Sequence, residues 1–157
     1  MLPTEESLQP LPVLALLSAG CYPHQADRVR LIETHISWVL LAGEFAYKIK
    51  KAVDFGFLDF TGLADRKHYC EEEVRLNRRL APGLYLDVAT LRSKGGELQF
   101  GDDGEIVEYA VRMRRFEQAN QLNKQLESGL LVESDMDEIA RLIGAFHNDS
   151  PLSLIHI

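Results

Sequence analysis

EFAYKIKK, residues Glu44 to Lys51, and CEEEVRLNRRL, residues Cys70 to Leu80, decide how this chain is read. The first is a short strand ending in a lysine cluster. Its period of two puts Phe45, Tyr47 and Ile49 on one face and Ala46, Lys48 and Lys50 on the other. The second is a helix with three consecutive carboxylates, of which Glu73 sits beside Val74 at the edge of the apolar stripe. A lysine from the strand and Glu73 from the helix are therefore expected to meet. On spacing alone, Lys48 and Lys50 also fit a solvated face, and Glu73 also fits a surface partner for Asn77, Arg66 or Arg79, which would be worth a few tenths of a kcal/mol.

Working outward, VRLIET, SWVLLAG and EFAYKIKK form three antiparallel strands, Val29–Thr34, Ser37–Ala42 and Phe45–Lys50, with Gly43-Glu44 as the tight turn between the last two. The aromatic-rich run Val53 to Phe60 packs a loop over the sheet. Its DFG letters at Asp54 to Gly56 follow the lysine strand too closely to be the metal-binding motif of protein kinases. Asp65 to Leu80 is the strongest helix, with Tyr69, Glu73, Leu76 and Leu80 as its stripe, Thr61 or Asp65 as its cap and Ala81-Pro82-Gly83 as its stop. Leu84 to Leu91 is a fourth strand, Ser93 to Gly104 a Gly/Asp-rich hairpin, and Ile106 to Phe116 a fifth strand. Glu5 to Ser18 reads as a short helix ending at Gly20. Gln118–Leu131 and Ser134–Asn148 read as two more, the last with Ser134 as cap and a buried stripe of Ile139, Leu142, Ile143 and Phe146.

The chain has 157 residues, 46% of them hydrophobic, which suits one globular domain with a packed core. Its formal net charge of −7 argues against nucleic-acid or anionic-membrane partners. Arg112, Arg114 and Arg115 accordingly read as charges balancing nearby acids. Cys21 and Cys70 make neither a disulfide framework nor a metal-ligand spacing, so a reduced, cytoplasmic protein is expected. The apolar run Leu11 to Leu17 is too short for a membrane span.

IETHISWVLLAGEFAYKIKK, VDFGFLDF, YCEEEVRLNRRLAPGLYLDV, YAVRMRRF and the Phe-His of AFHNDSP together resemble the start of bacterial aminoglycoside-phosphotransferase-like proteins, a group often fused to a P-loop ATPase-like kinase domain. The likeness runs from about Ala15 to Pro151. It implies an α+β fold: a kinase-like N-lobe over residues 1–116, with a five-stranded antiparallel sheet and one Glu-bearing helix, then a hinge and, over 117–150, the first helices of a C-lobe. Residues 151–157 read as a non-native or unpacked tail.

The resemblance assigns Lys48 to the α/β-phosphates of ATP, Glu73 to holding that lysine, and Lys50 to the reserve position. Met113, Arg114, Arg115 and Phe116 become the hinge against adenine. The turn Thr34 to Ser37 takes the place of a glycine-rich phosphate cover without a glycine, so the Ser37 hydroxyl is a phosphate contact or a satisfied turn group. No catalytic loop follows, and His147-Asn148-Asp149 reads as a helix end. The expected partners are ATP and, in a longer protein, a small-molecule hydroxyl acceptor, the remaining C-lobe and, where one is fused, a P-loop domain. Magnesium ligands are expected outside this chain. The second reading is a non-catalytic kinase-like binding or regulatory module.

Overall fold

A computed structural model describes residues 11–150. The expected tail over 151–157 and the first part of the expected Glu5–Ser18 helix lie outside the described residues. Strands β1 (Val29–Glu33), β2 (Ser37–Ala42) and β3 (Phe45–Lys50) run antiparallel, and helix α1 (Leu63–Asn77) follows. Next come β4 (Tyr85–Lys94), β5 (Glu97–Phe100) and β6 (Glu105–Arg114), then α2 (Leu122–Glu127) and α3 (Glu133–Asp149). The order β1-β2-β3-β6-β4-β5 makes one six-stranded antiparallel sheet, one strand more than expected. The extra strand is β5, folded back on β4 from Leu91↔Phe100 to Lys94↔Glu97. It is the return arm of the expected Ser93–Gly104 hairpin, which was not counted among the five strands.

Each face of the sheet has its own apolar layer. On one, Tyr47 and Ile49 of β3 are fully buried with Leu40, Leu91 and Phe100. Two short 3-10 turns, Val13–Leu17 and Ala19–Cys21, replace the expected N-terminal helix here and close this layer with the fully buried Leu16. The Tyr22 hydroxyl donates to the Leu16 carbonyl at 2.8 Å and pins the segment down. On the other face, Ala46, Val111 and Met113 meet Cys70 and Val74 of α1.

Gly43 makes the β2–β3 turn possible. Its φ of +59° is left-handed, and a Cβ there would lie 2.3 Å from the Gln25 carbonyl oxygen. In β6, Leu91↔Glu108 is followed by Arg92↔Ile106, so Val107 is an extra residue. Bulges of this kind re-aim the neighbouring side chain.

Helix α1 departs from the expected stripe. It buries Arg66, Cys70 and Val74, four residues apart, whereas Leu76 and Leu80 are nearly half exposed. Its cap is Gly62, with no side-chain bond; Thr61 instead donates its hydroxyl to Asp59. The Gln118–Leu131 helix shrinks to a 3-10 turn and the six-residue α2. At α3 the backbone N–H of Val132 donates to Asp135 at 2.9 Å, so Ser134 is not the cap. No residue of α3 is buried, and Leu142 and Ile143 are about half exposed, which overturns the buried stripe. Arg79 links this helix to the end of α1, its guanidinium 4.4 Å from the Phe146 ring centroid and donating to Ser150 at 2.7 Å.

Candidate anion site on the third strand

Alternation along β3 sends Tyr47 and Ile49 into one layer and Lys48 and Lys50 toward α1. There the two lysines share one carboxylate. Lys48 Nζ lies 2.8 Å from Glu73 Oε1, and Lys50 Nζ lies 2.6 Å from Glu73 Oε2. Successive helix positions diverge by about 100°, which is why only one of three consecutive glutamates reaches the strand. Glu71 pairs with Lys67 and Glu72 with Arg75, both toward solvent. The surface reading of Glu73 fails on the same geometry: Asn77 donates to the Glu73 backbone carbonyl, not to its carboxylate.

The two lysines differ in their surroundings. The Lys50 side chain is 7% exposed and Glu73 14%, while Lys48 is 28% exposed. Burial pushes the Glu73 carboxyl up, and its hydrogen bonds to Lys48 and then Lys50 pull it down further, so it titrates below its ordinary range. One carboxylate against two ammoniums leaves the cluster with a net positive charge, and Lys48 is the member that solvent reaches. Tyr85, whose titration is raised first by burial and then by Glu73, stands beside it. Cys70, also near, is fully buried and pushed up to about 11, which keeps it an inert thiol.

Ser37 sits cross-strand from Lys50, buried, and its hydroxyl oxygen finds no partner among the described residues. The turn before it is satisfied internally: Thr34 Oγ1 accepts the Ser37 N–H at 3.0 Å, and the Ser37 carbonyl accepts the Thr34 N–H at 2.9 Å. At the other end of the sheet Met113 is buried, the Arg114 N–H donates to Leu84 and the Arg115 N–H to Glu44. Those two donors belong to the sheet, which leaves the N–H of Phe116 without an acceptor among the described residues. Arg112 is tied to Asp87 at 2.8 and 2.6 Å, as a charge-balancing arginine should be.

The sequence reading missed a second buried ion pair. Arg66 Nε lies 3.0 Å from both oxygens of Glu108, and its Nη1 donates to the carbonyls of Phe60 and Thr61 at 2.8 and 2.7 Å. The pair ties the first turns of α1 to β6 and so fixes the helix that carries Glu73. The only signal for it was the spacing of Arg66, four residues before Cys70. Asp54 Oδ1 accepts the Gly56 N–H at 2.7 Å in a local turn.

A 115-residue stretch of the chain is 38% identical to uncharacterized proteins of Mycobacterium bovis and Mycobacterium tuberculosis. The stretch covers 73% of this chain but 22% of each relative, so the chain spans about a fifth of the length of the curated proteins it matches. No protein-family model matches the chain, and no solved structure does either. Among the described residues no helix is long and apolar enough to cross a membrane.

Proposed function

We propose that this chain is the nucleotide-binding part of an ATP-dependent small-molecule phosphotransferase, a kinase-like N-lobe in which Glu73 sets Lys48 against the phosphates. The observation that carries the reading is the Lys48–Glu73 ion pair of 2.8 Å between the third strand and the helix that follows it. The same lysine–glutamate pairing between strand and helix is required of active protein kinases. The net charge of the cluster supports it, because a neutral bridge would offer a phosphate nothing, whereas two ammoniums on one carboxylate leave a cation to answer it.

The residues present fit the phosphate end of ATP. Lys48 would hold the α- and β-phosphates, with Lys50 behind it keeping Glu73 from swinging away, and Ser37 offers an unused hydroxyl on the same face. Val39, Ala46 and Met113, on the same apolar layer, and the N–H of Phe116 would meet the base. Bound ATP supplies the phosphoryl group that a small-molecule hydroxyl would accept. What these residues contribute is position and charge, the larger part of catalysis in phosphoryl transfer. Among the described residues there is no group of three or more His, Cys, Asp or Glu side chains that could hold a metal ion.

Binding separates this from the second reading, a regulatory module in which the lysines form a structural bridge. The nearly complete burial of Lys50 on the second carboxylate oxygen favours that alternative. Mg-ATP titrated into the protein should raise its melting temperature saturably, and Lys48→Ala should lose that rise while keeping the fold. No rise, or an equal rise in the variant, would overturn the phosphate role.

A further inference from the structure

At the end of the sheet away from Arg114 lies a cleft of about 600 Å³. It is within the size range of small-molecule sites. Its walls include Trp38, Val53, Leu98 and Val107, all half-buried, and its charged lining is Lys50, Lys51, Arg66 and Glu108. That is three cations against one carboxylate, since Glu73 and Glu33, the partners of the two lysines, are not in the lining. Lys51 stands 5.3 Å over the Trp38 ring, which places a charge at the edge of the apolar wall.

Arg66 decides what the cleft would take. The residue is 3% exposed, and three of its guanidinium hydrogens are spent: Nε on Glu108, and Nη1 on the carbonyls of Phe60 and Thr61. Glu108 is in turn satisfied by Arg66 and by the Tyr109 N–H at 3.0 Å, so its charge is already answered. The remaining nitrogen, Nη2, has no acceptor among the described residues, and Arg66 is part of the cleft wall. A buried guanidinium with an unused nitrogen, in a residue that lines a cleft with apolar walls, is a candidate site for an oxygen anion.

We infer that this cleft binds a small amphipathic carboxylate, its apolar body against Trp38, Val53 and Leu98 and its carboxylate on Arg66 Nη2 with Lys51 at the rim. The inference stands apart from the phosphotransferase reading, and its test contains no nucleotide. Trp38 is the single tryptophan of the chain, so its fluorescence reports the cleft directly. Titration with 3-phenylpropionate should change that fluorescence saturably, with a Kd below about 1 mM. The neutral 3-phenylpropionamide should bind at least about tenfold more weakly, because a charge-assisted bond is lost.

Val53→Phe fills the cleft and should abolish binding with the melting temperature kept. Arg66→Ala would orphan Glu108 and strongly destabilise the protein, so the charge is tested in the double variant Arg66→Met/Glu108→Leu, which removes both partners. That variant should fold and bind acid and amide alike. No saturable change in the unaltered protein, equal binding of acid and amide there, or undiminished binding in Val53→Phe would each overturn the assignment.

Discussion

Replacing Glu73 by Gln should cost more stability than removing either lysine it holds, because the three groups do not share the load equally. Glu73→Gln leaves two ammoniums side by side on one face of β3, one of them in a side chain only 7% exposed. Removing one partner of a fully buried pair costs about 3–5 kcal/mol, and of an exposed pair about 0–1. With Glu73 14% and Lys48 28% exposed, this cluster falls between, at roughly 2–4 kcal/mol. Lys50→Met leaves a neutral Lys48–Glu73 pair and buries an apolar side chain, so its cost is about 1 kcal/mol. Lys48→Met, at the more exposed position, costs less still. For a domain of this size each kcal/mol is worth about 3–5 °C in melting temperature. Glu73→Gln should therefore melt roughly 6–20 °C lower, again on that scaling, with the two lysine variants within a few degrees of the parent. Calorimetry on the three variants and the parent checks the order. If Glu73→Gln melts with the parent, or Lys48→Met is the worst of the three, the shared-carboxylate account is wrong.

The same carboxylate sets a pH dependence. Its folded titration lies below the ordinary 4.5, so the stability it adds is fully present above that value and is lost as pH falls through the depressed one. The acid unfolding midpoint should accordingly become less steep in Glu73→Gln, as circular dichroism would show. Gly43→Ala forces a Cβ to within 2.3 Å of the Gln25 carbonyl at a φ of +59°, and should destabilise by about 2 kcal/mol or more in urea unfolding. Arg66→Ala strands the Glu108 charge and should cost about 3–5 kcal/mol, most of which Arg66→Met/Glu108→Leu restores. Arg79→Ala removes the contacts to Phe146 and Ser150, worth about 1 kcal/mol. Hydrogen exchange should then quicken in α3 and leave β3 and β6 unchanged.

The elements visible in the sequence are those whose pattern is local. β2 and β3 lie where the period of two places them, and Gly43 turns the chain between them because the turn chemistry is carried by one residue. The meeting of Glu73 with Lys48 was legible for the same reason, since strand alternation fixes one partner's face and helix periodicity the other's. What it could not give was the equal share of Lys50: which of two lysines on a face takes which oxygen depends on how α1 lies across the strand. The orientation of α1 was in turn hidden, because Arg66 counts as polar in any hydrophobic pattern and its partner Glu108 is 42 residues away. Leu76, Leu80, Leu142 and Ile143 misled in the opposite direction, being apolar residues at helical spacing that the described elements leave about half exposed.

Both faces of β3 are occupied, by Tyr47 and Ile49 against the apolar layer under Leu16 and by Lys48 and Lys50 against Glu73. A slip of one residue would exchange these sets, driving two ammoniums into a layer without acceptors and setting two apolar side chains against a carboxylate. The length of the turn at Gly43-Glu44 is therefore as constrained as the identity of the lysines. A single inserted residue there, though it lies at the surface and touches neither Lys48 nor Glu73, should be tolerated less well than most substitutions within the strand itself.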